Sequence, residues 1–316
     1  MSGRFDPGNQ GSREAHALAL LAVAVAVITW GGSSIAIKLV STTGLVASFY
    51  RLWFAIPLLW LTALLTPSIR RRLNRGWMIA CLRGGSLFGL HQILFFNCLK
   101  LTNVANVTII GALQPALVLL VAGPMFNERP TPRALFWSLV ALGGTVIVVG
   151  GSTGTPGWSP LGDALAAANL LAFTAYFLVS KEIRSRVGAP EYVVGMTTVA
   201  GVVVLAASVV TGQDFGAPSG RDWALLVALA VLPGTLGHLL TNWAHRYTSA
   251  FVMSIMLLAV PVIASIGAAA VLDEALGAAQ MTGGTIVLVA IGIVVRSTHA
   301  AAGEQLAESA ATTGAP

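Results

Sequence analysis

The chain has 316 residues, of which 56% are hydrophobic and only 9% charged, with a formal net charge of +6; soluble domains carry about 25% charged residues. A water-soluble globule cannot hide that much apolar surface. The apolar runs are about twenty residues long and lack the short alternating segments of a barrel, which leaves an all-α bundle spanning a membrane. Nucleic acid is set aside as a partner, because Arg and Lys sit in short clusters between apolar runs, as in loops oriented by charge.

Residues 1–16 are polar, and the full-length run after them shows no clear cleavage site, so it reads as a retained first helix rather than a signal peptide. Helices are expected at 17–39, 45–66, 77–98, 104–126, 133–151, 161–180, 192–211, 223–243, 249–272 and 279–296. Turn signals separate them: Ser41-Thr42-Thr43-Gly44, the Arg-rich stretch 67–76, and stretches 127–132, 152–160 and 212–220. With the N-terminus cytoplasmic, thirteen basic residues fall on the cytoplasmic side and four (Lys38, Arg51, Lys100 and Arg221) on the far side, while Arg83 lies inside the third span. That bias places both termini in the cytoplasm. The Arg-heavy, Ala/Gly/Val-rich composition points to a GC-rich bacterium, hence to a bacterial inner (plasma) membrane.

Cys81 and Cys98 share one apolar run and frame neither a disulfide scaffold nor a metal site. No HExxH, GxSxG or acidic metal cluster speaks for an enzyme, and no cofactor or metal is expected.

The sequence repeats itself. Pro115 and Pro261 stand deep in apolar runs; Glu128 and Glu274 follow each by thirteen residues, and Thr102 and Thr248 precede each by thirteen, all at an offset of 146. Lys100 and Arg246 keep the same offset, and a fainter echo joins Trp30 and Lys38 to Phe173 and Lys181. Segments 17–151 and 161–296 are therefore read as two repeats joined by a linker at 152–160, with tails at 1–16 and 297–316. Five spans per repeat, an odd number, make the second run opposite to the first across the membrane, an arrangement that suits alternating access.

These residues resemble the EamA-type carriers of the drug/metabolite transporter superfamily. The likeness rests on Trp30-Gly31 with Lys38, on Phe49-Tyr50-Arg51, and on Leu99-Lys100-Leu101-Thr102 with Pro115 and Glu128-Arg129. The second half repeats it with Arg246-Tyr247-Thr248, Pro261 and Asp273-Glu274. Asn127 and Asp273 stand where the family usually has Gly, and Trp137 replaces a Gly that is kept at Gly283. The resemblance implies ten helices, a central cavity between the halves, alternating access, and often export of amino acids or related metabolites.

Polar groups inside a membrane face the bundle interior or a wet cavity. His91, Gln92, Asn97, Asn106, Gln114, Asn169, His238 and Asn242 form that set. Substrate contact is expected from Trp30, Arg51, His91, Asn97, Gln114, Tyr176, His238 and Asn242. Trp30 and Tyr176 join because the first helix of each half lines the family's cavity. His91 and His238 lie near mid-membrane in corresponding helices, where each serves either proton coupling or an interhelical hydrogen bond. Arg51 either snorkels to the outer interface or binds a substrate carboxylate. Pro115 and Pro261 are candidate pivots. Glu128 and Glu274 are candidate gate residues, or topology markers at the interface. No Asp or Glu lies at mid-membrane, which leaves a uniporter or exchanger open. The expected function is a secondary carrier moving small polar metabolites, amino acids or related compounds, outward. The alternatives are a nucleotide-sugar or sugar-phosphate carrier, or a passive channel. The expected partners are the small-molecule substrate and the lipid bilayer; proton coupling and a homodimer stay open.

Overall fold

The computed structural model describes residues 7–102, 104–128, 130–151, 159–216, 218–272 and 276–313, and among these every regular element is helical. Ten helices are long and apolar enough to cross a membrane. They are α1 Glu14–Leu39, α2 Gly44–Leu65, α3 Gly76–Leu101, α4 Asn106–Phe126 and α5 Pro132–Gly150, then α6 Pro160–Arg184, α7 Ala189–Val210, α8 Gly220–Ala244, α9 Ala250–Gly267 and α10 Ala278–Ser297.

Most helix starts are fixed by a polar side chain in the preceding turn that accepts one of the orphan backbone N–H groups. Thr43 caps α2 through Val46 N (3.4 Å), Asn74 caps α3 through Trp77 N (2.9 Å), and Thr131 caps α5 through Ala134 N (3.2 Å). Ser159 and Ser249 do the same for α6 and α9 (both 3.1 Å), and Ser219 with Asp222 forms a reciprocal capping box on α8. Asn127 ends α4 in the left-handed conformation at φ 55°, which Asn tolerates better than most residues. The helices agree with the expected spans to within a few residues. The segments read as tails are partly helical, since the first helix begins at Pro7 and the last continues to Thr313.

The interior helices are not regular. In α4 the helix Val104–Gly111 stops, and a second, Gln114–Phe126, starts with Pro115 in its first turn. In α9 a tight turn at Leu257–Ala259 precedes the helix Val260–Leu272, which carries Pro261 in its first turn. Proline has no N–H and is best tolerated there, so each proline sits where its helix restarts. Within α8 the segment Ala230–Gly237 widens into a π-helix around Pro233.

Helices of the two sets of five interleave. The first of each set packs on the third of the other (α1 on α8, α6 on α3); α2 reaches α8 and α7 reaches α3, while α5 and α10 pair along their length. The α5–α10 contact is a backbone crossing. A Cβ on Gly283 would lie 2.6 Å from Gly144 O, and one on Gly144 would lie 3.0 Å from Gly283 O, so only glycine fits at both points. Leu65 and Val210, exposed by 73% and 85%, belong to the apolar outer surface that a bilayer covers.

Candidate functional site

Where α1, α2, α3, α4, α6, α8 and α9 converge, the irregular helix segments leave a cavity of about 160 Å³. A dry apolar cavity of about this size accepts benzene, so the space suits one ring or a branched side chain. Its wall is aromatic on several sides, with Trp30, Phe95, Phe96 and Phe173, and polar at Ser33, Ser34, Gln92, Thr108, Gln114, Asn169 and Ser254. Arg51 is the one Lys, Arg, Asp or Glu among its lining residues.

Arg51 is 4% exposed. It does not snorkel to the interface: its Nη1 donates to Gln92 Oε1 on α3, and its Nε to the carbonyl of Leu229 on α8 (3.4 Å). The guanidinium also sits over the rings of Phe88 and Phe96, each centroid 5.8 Å away. No described carboxylate pairs with it. These contacts satisfy donors and supply some cation–π attraction, yet none neutralises the charge. A buried cation without a counter-ion is costly, and a ligand carboxylate removes that cost. Gln114 adds a second open group, since its side chain is 3% exposed and Nε2 has no hydrogen-bond partner. Buried donors rarely stay unpaired.

The π-segment of α8 explains how Arg51 and Trp30 are held. Pro233 cannot donate to the carbonyl four residues earlier, that of Leu229, and this is the carbonyl that Arg51 takes. Trp30 Nε1 donates to Pro233 O itself (3.1 Å). The two glycines that flank these contacts leave the necessary room. A Cβ on Gly234 would meet Leu229 O at 2.7 Å and Arg51 Nε at 3.2 Å, and one on Gly237 would meet Trp30 Nε1 at 2.6 Å. An apolar helix thus offers two backbone acceptors to side chains from α1 and α2.

The histidines are brought together as well. His91 Nδ1 faces Asn169 Oδ1 at 2.7 Å; that oxygen only accepts, so Nδ1 carries the hydrogen. His238 Nδ1 lies 3.2 Å from Tyr176 OH, which accepts from Asn242 Nδ2 (3.1 Å) and so donates to the imidazole. Trp30 stacks at a tilt on His238, 5.1 Å between centroids, and meets Phe173 edge-on at 6.2 Å.

Of the residues expected from sequence, Trp30, Arg51, His91, Gln114 and His238 line the cavity, as do Pro115 and Pro261. Tyr176 and Asn242 stand behind His238 and orient it. Asn97 is the exception. It is absent from the lining, and its Nδ2 donates back to Ile93 O (2.7 Å). At 100° per residue it lies far around α3 from His91 and Gln92. Glu274 lies outside the described residues. The site residues that the polar criterion did not select are Phe95, Phe173, Ser33, Ser34 and Ser254. Of these, Phe173 was signalled by its echo of Trp30.

On the side of the bundle where the termini lie, a buried layer sits below the cavity. Glu128 pairs with Lys181 (2.9 Å) and accepts from Ala250 N (3.0 Å) and Phe251 N (3.1 Å) at the start of α9. Lys181 also donates to Thr248 O (2.8 Å), and Arg184 to Asn242 O (2.7 Å). At the opposite end Lys38 donates to Thr102 O (2.6 Å). The lysines and threonines paired by sequence therefore make the same bond at the two ends of the bundle.

Ten crossing helices around one internal, singly charged, aromatic-walled cavity make a multi-pass membrane protein of the kind that carries small molecules. The chain belongs to the EamA-like transporter family, whose model matches residues 17–150 and again 160–296. A curated relative, the aromatic amino acid exporter YddG of Ancylobacter novellus, is 29% identical over 164 residues. That match covers 51% of this chain and 56% of the exporter, little more than half of either. A solved crystal structure superposes with a TM-score of 0.74 at 17% identity, covering 87% of this chain and 96% of its own, a likeness of fold.

Proposed function

We propose that the chain is a secondary carrier that exports amino acids with aromatic or similarly bulky side chains across the bacterial inner membrane, by alternating access. Both termini face the cytoplasm in this reading. The observation that carries it is Arg51, a buried, uncompensated cation in a cavity otherwise walled by rings. The guanidinium takes the substrate carboxylate in the bidentate geometry it favours. Trp30, Phe95 and Phe173 receive the side chain, and Gln114 Nε2 supplies a further donor. The name of the Ancylobacter novellus relative points to the same substrate class.

The alternatives fare less well on the same observations. A sugar-phosphate or nucleotide-sugar carrier needs several cations around a doubly charged group. Arg83, the other intramembrane candidate, pairs with Glu182 at 3.0 Å and is absent from the cavity lining. A passive channel needs a continuous path, and the Glu128–Lys181 layer interrupts it. The two halves then rock about the helix restarts at Pro115 and Pro261, with Glu128 latching the cytoplasmic side. His91 and His238 are each committed to a neighbouring side chain, a positioning role that leaves uniport or exchange as the cycle.

Binding of phenylalanine and of phenethylamine, measured by calorimetry on purified protein, tests this directly. Phenylalanine is expected to bind more tightly, because only it carries the carboxylate. Equal affinity, or no binding of either, overturns the assignment of Arg51.

A further inference from the structure

A second concavity, separate from the transport cavity, opens at the termini-facing ends of α3, α6 and α7. It has a volume of about 1010 Å³, and none of its lining residues is shared with the central cavity. Five arginines line it (Arg71, Arg72, Arg83, Arg186 and Arg246) against two carboxylates, Glu182 and Glu191. Arg83 is neutralised by Glu182 at 3.0 Å, and Arg72 by Glu191 at 3.6 Å. Arg71, Arg186 and Arg246 keep their charge with no carboxylate partner among the described residues, a surplus of three (five less two). Arg71 Nε donates to Pro67 O (3.2 Å), which holds that side chain in place without discharging it.

The other wall is apolar. Ile79, which also lines the cleft, is 68% exposed, and Leu82 one turn further along α3 is 50% exposed. Arg83 stands seven residues beyond Gly76, about 10 Å up the helix, so the cleft reaches from the loop level to the depth of the acyl-chain boundary. A soluble anion has no need of that apolar flank. A phospholipid uses both parts, its chain along Ile79 and Leu82 and its phosphate among the arginines, as basic pockets between membrane helices bind acidic headgroups.

We infer that this cleft is a binding site for the headgroup of an anionic phospholipid, seated on Arg71, Arg186 and Arg246. The site stands independently of the transported substrate.

Native mass spectrometry of the full chain in mild detergent tests it, with phosphatidylglycerol and phosphatidylethanolamine of identical chains titrated in turn, and inorganic phosphate as competitor. The wild type is expected to retain phosphatidylglycerol preferentially and to keep it in millimolar phosphate. The triple variant R71Q/R186Q/R246Q should bind it about a hundredfold more weakly, taking each surface arginine at its usual contribution. R70Q, on the same short helix but outside the cleft, should match the wild type. If the triple variant does not elute as a single folded species, R186Q alone should weaken binding about fivefold. Equal retention of the two lipids, or unchanged binding in the arginine variants, overturns the inference. Displacement of the lipid by inorganic phosphate overturns it too, in favour of a soluble anion.

Discussion

Lys181 at the end of α6 and Glu128 just beyond α4 form an ion pair of 2.9 Å in which both side chains are only 14% exposed. The pair ties three helices, because the same carboxylate caps the start of α9 through Ala250 N and Phe251 N. We read it as the latch of the cytoplasmic side. In E128Q the charge and one acceptor oxygen are lost, and a stability decrease of about 1–2 kcal/mol is expected. In a background without Cys81 and Cys98, a cysteine placed at Ser254 in the cavity wall reports the opening. An impermeant maleimide applied from the cytoplasmic side should label it slowly in the parent and several times faster with E128Q. Identical labelling rates would show that Glu128 serves topology alone.

R51Q separates carboxylate recognition from packing. It keeps a hydrogen-bonding side chain but removes the charge, and charge-assisted hydrogen bonds are worth about 1.5–3 kcal/mol. Affinity for phenylalanine should fall about ten- to hundredfold, with affinity for phenethylamine unchanged or improved. A parallel loss for both ligands would mean that Arg51 only holds α2 to α8.

The seat on α8 predicts that two small substitutions far from any polar chemistry will matter. G234A puts a methyl group 3.2 Å from Arg51 Nε, and G237A puts one 2.6 Å from Trp30 Nε1. Each must displace the side chain it meets, with an overpacking cost of about 1–3 kcal/mol. Transport should fall at least severalfold while membrane abundance, read by immunoblot, stays near the parent level. Normal transport in both variants contradicts the role given to the π-segment.

His245 lies just past the end of α8, 4% exposed and packed on the Phe177 ring at 4.6 Å. Burial pushes its imidazole well below the ordinary value, and the neighbouring charges of Lys181 and Arg184 push the same way. Its folded-state pKa is therefore below the unfolded value of about 6.5. As pH falls the unfolded chain binds the proton first. The contribution is fully present above about pH 6.5 and is lost below it, at up to about 1.4 kcal/mol per pH unit. Melting curves from pH 7.5 to 5.5 should fall less steeply for H245Q than for the parent. Parallel curves would rule out this source of acid sensitivity.

The order of helices was legible because each apolar run is closed by its own cap or turn residues. The matched Pro-Glu and Thr pairs also marked corresponding elements before any coordinates did: Pro115 and Pro261 prove to sit at helix restarts, and the Lys38–Thr102 bond has its counterpart in Lys181–Thr248. The rest depended on neighbours remote in sequence. Nothing local could say whether Arg51 snorkels or turns inward, because the acceptors that hold it come from α3 and α8. Asn97 was polar and intramembrane like the true lining residues, and only its rotation around α3 excludes it. The Pro233-Gly234 pair carried a breaker signal inside a run read as one uninterrupted span, and its consequence, a carbonyl left free for Arg51, required the partner to be in view.

Counterflow in proteoliposomes puts the central claim to its most direct test. Vesicles loaded with unlabelled phenylalanine, tyrosine or tryptophan are diluted into trace radiolabelled phenylalanine, and uptake is followed in the parent and in R51Q. The account predicts saturable accumulation that depends on the internal amino acid and is abolished or strongly reduced in R51Q. Uptake without dependence on the internal substrate, or accumulation as strong in R51Q as in the parent, would contradict it.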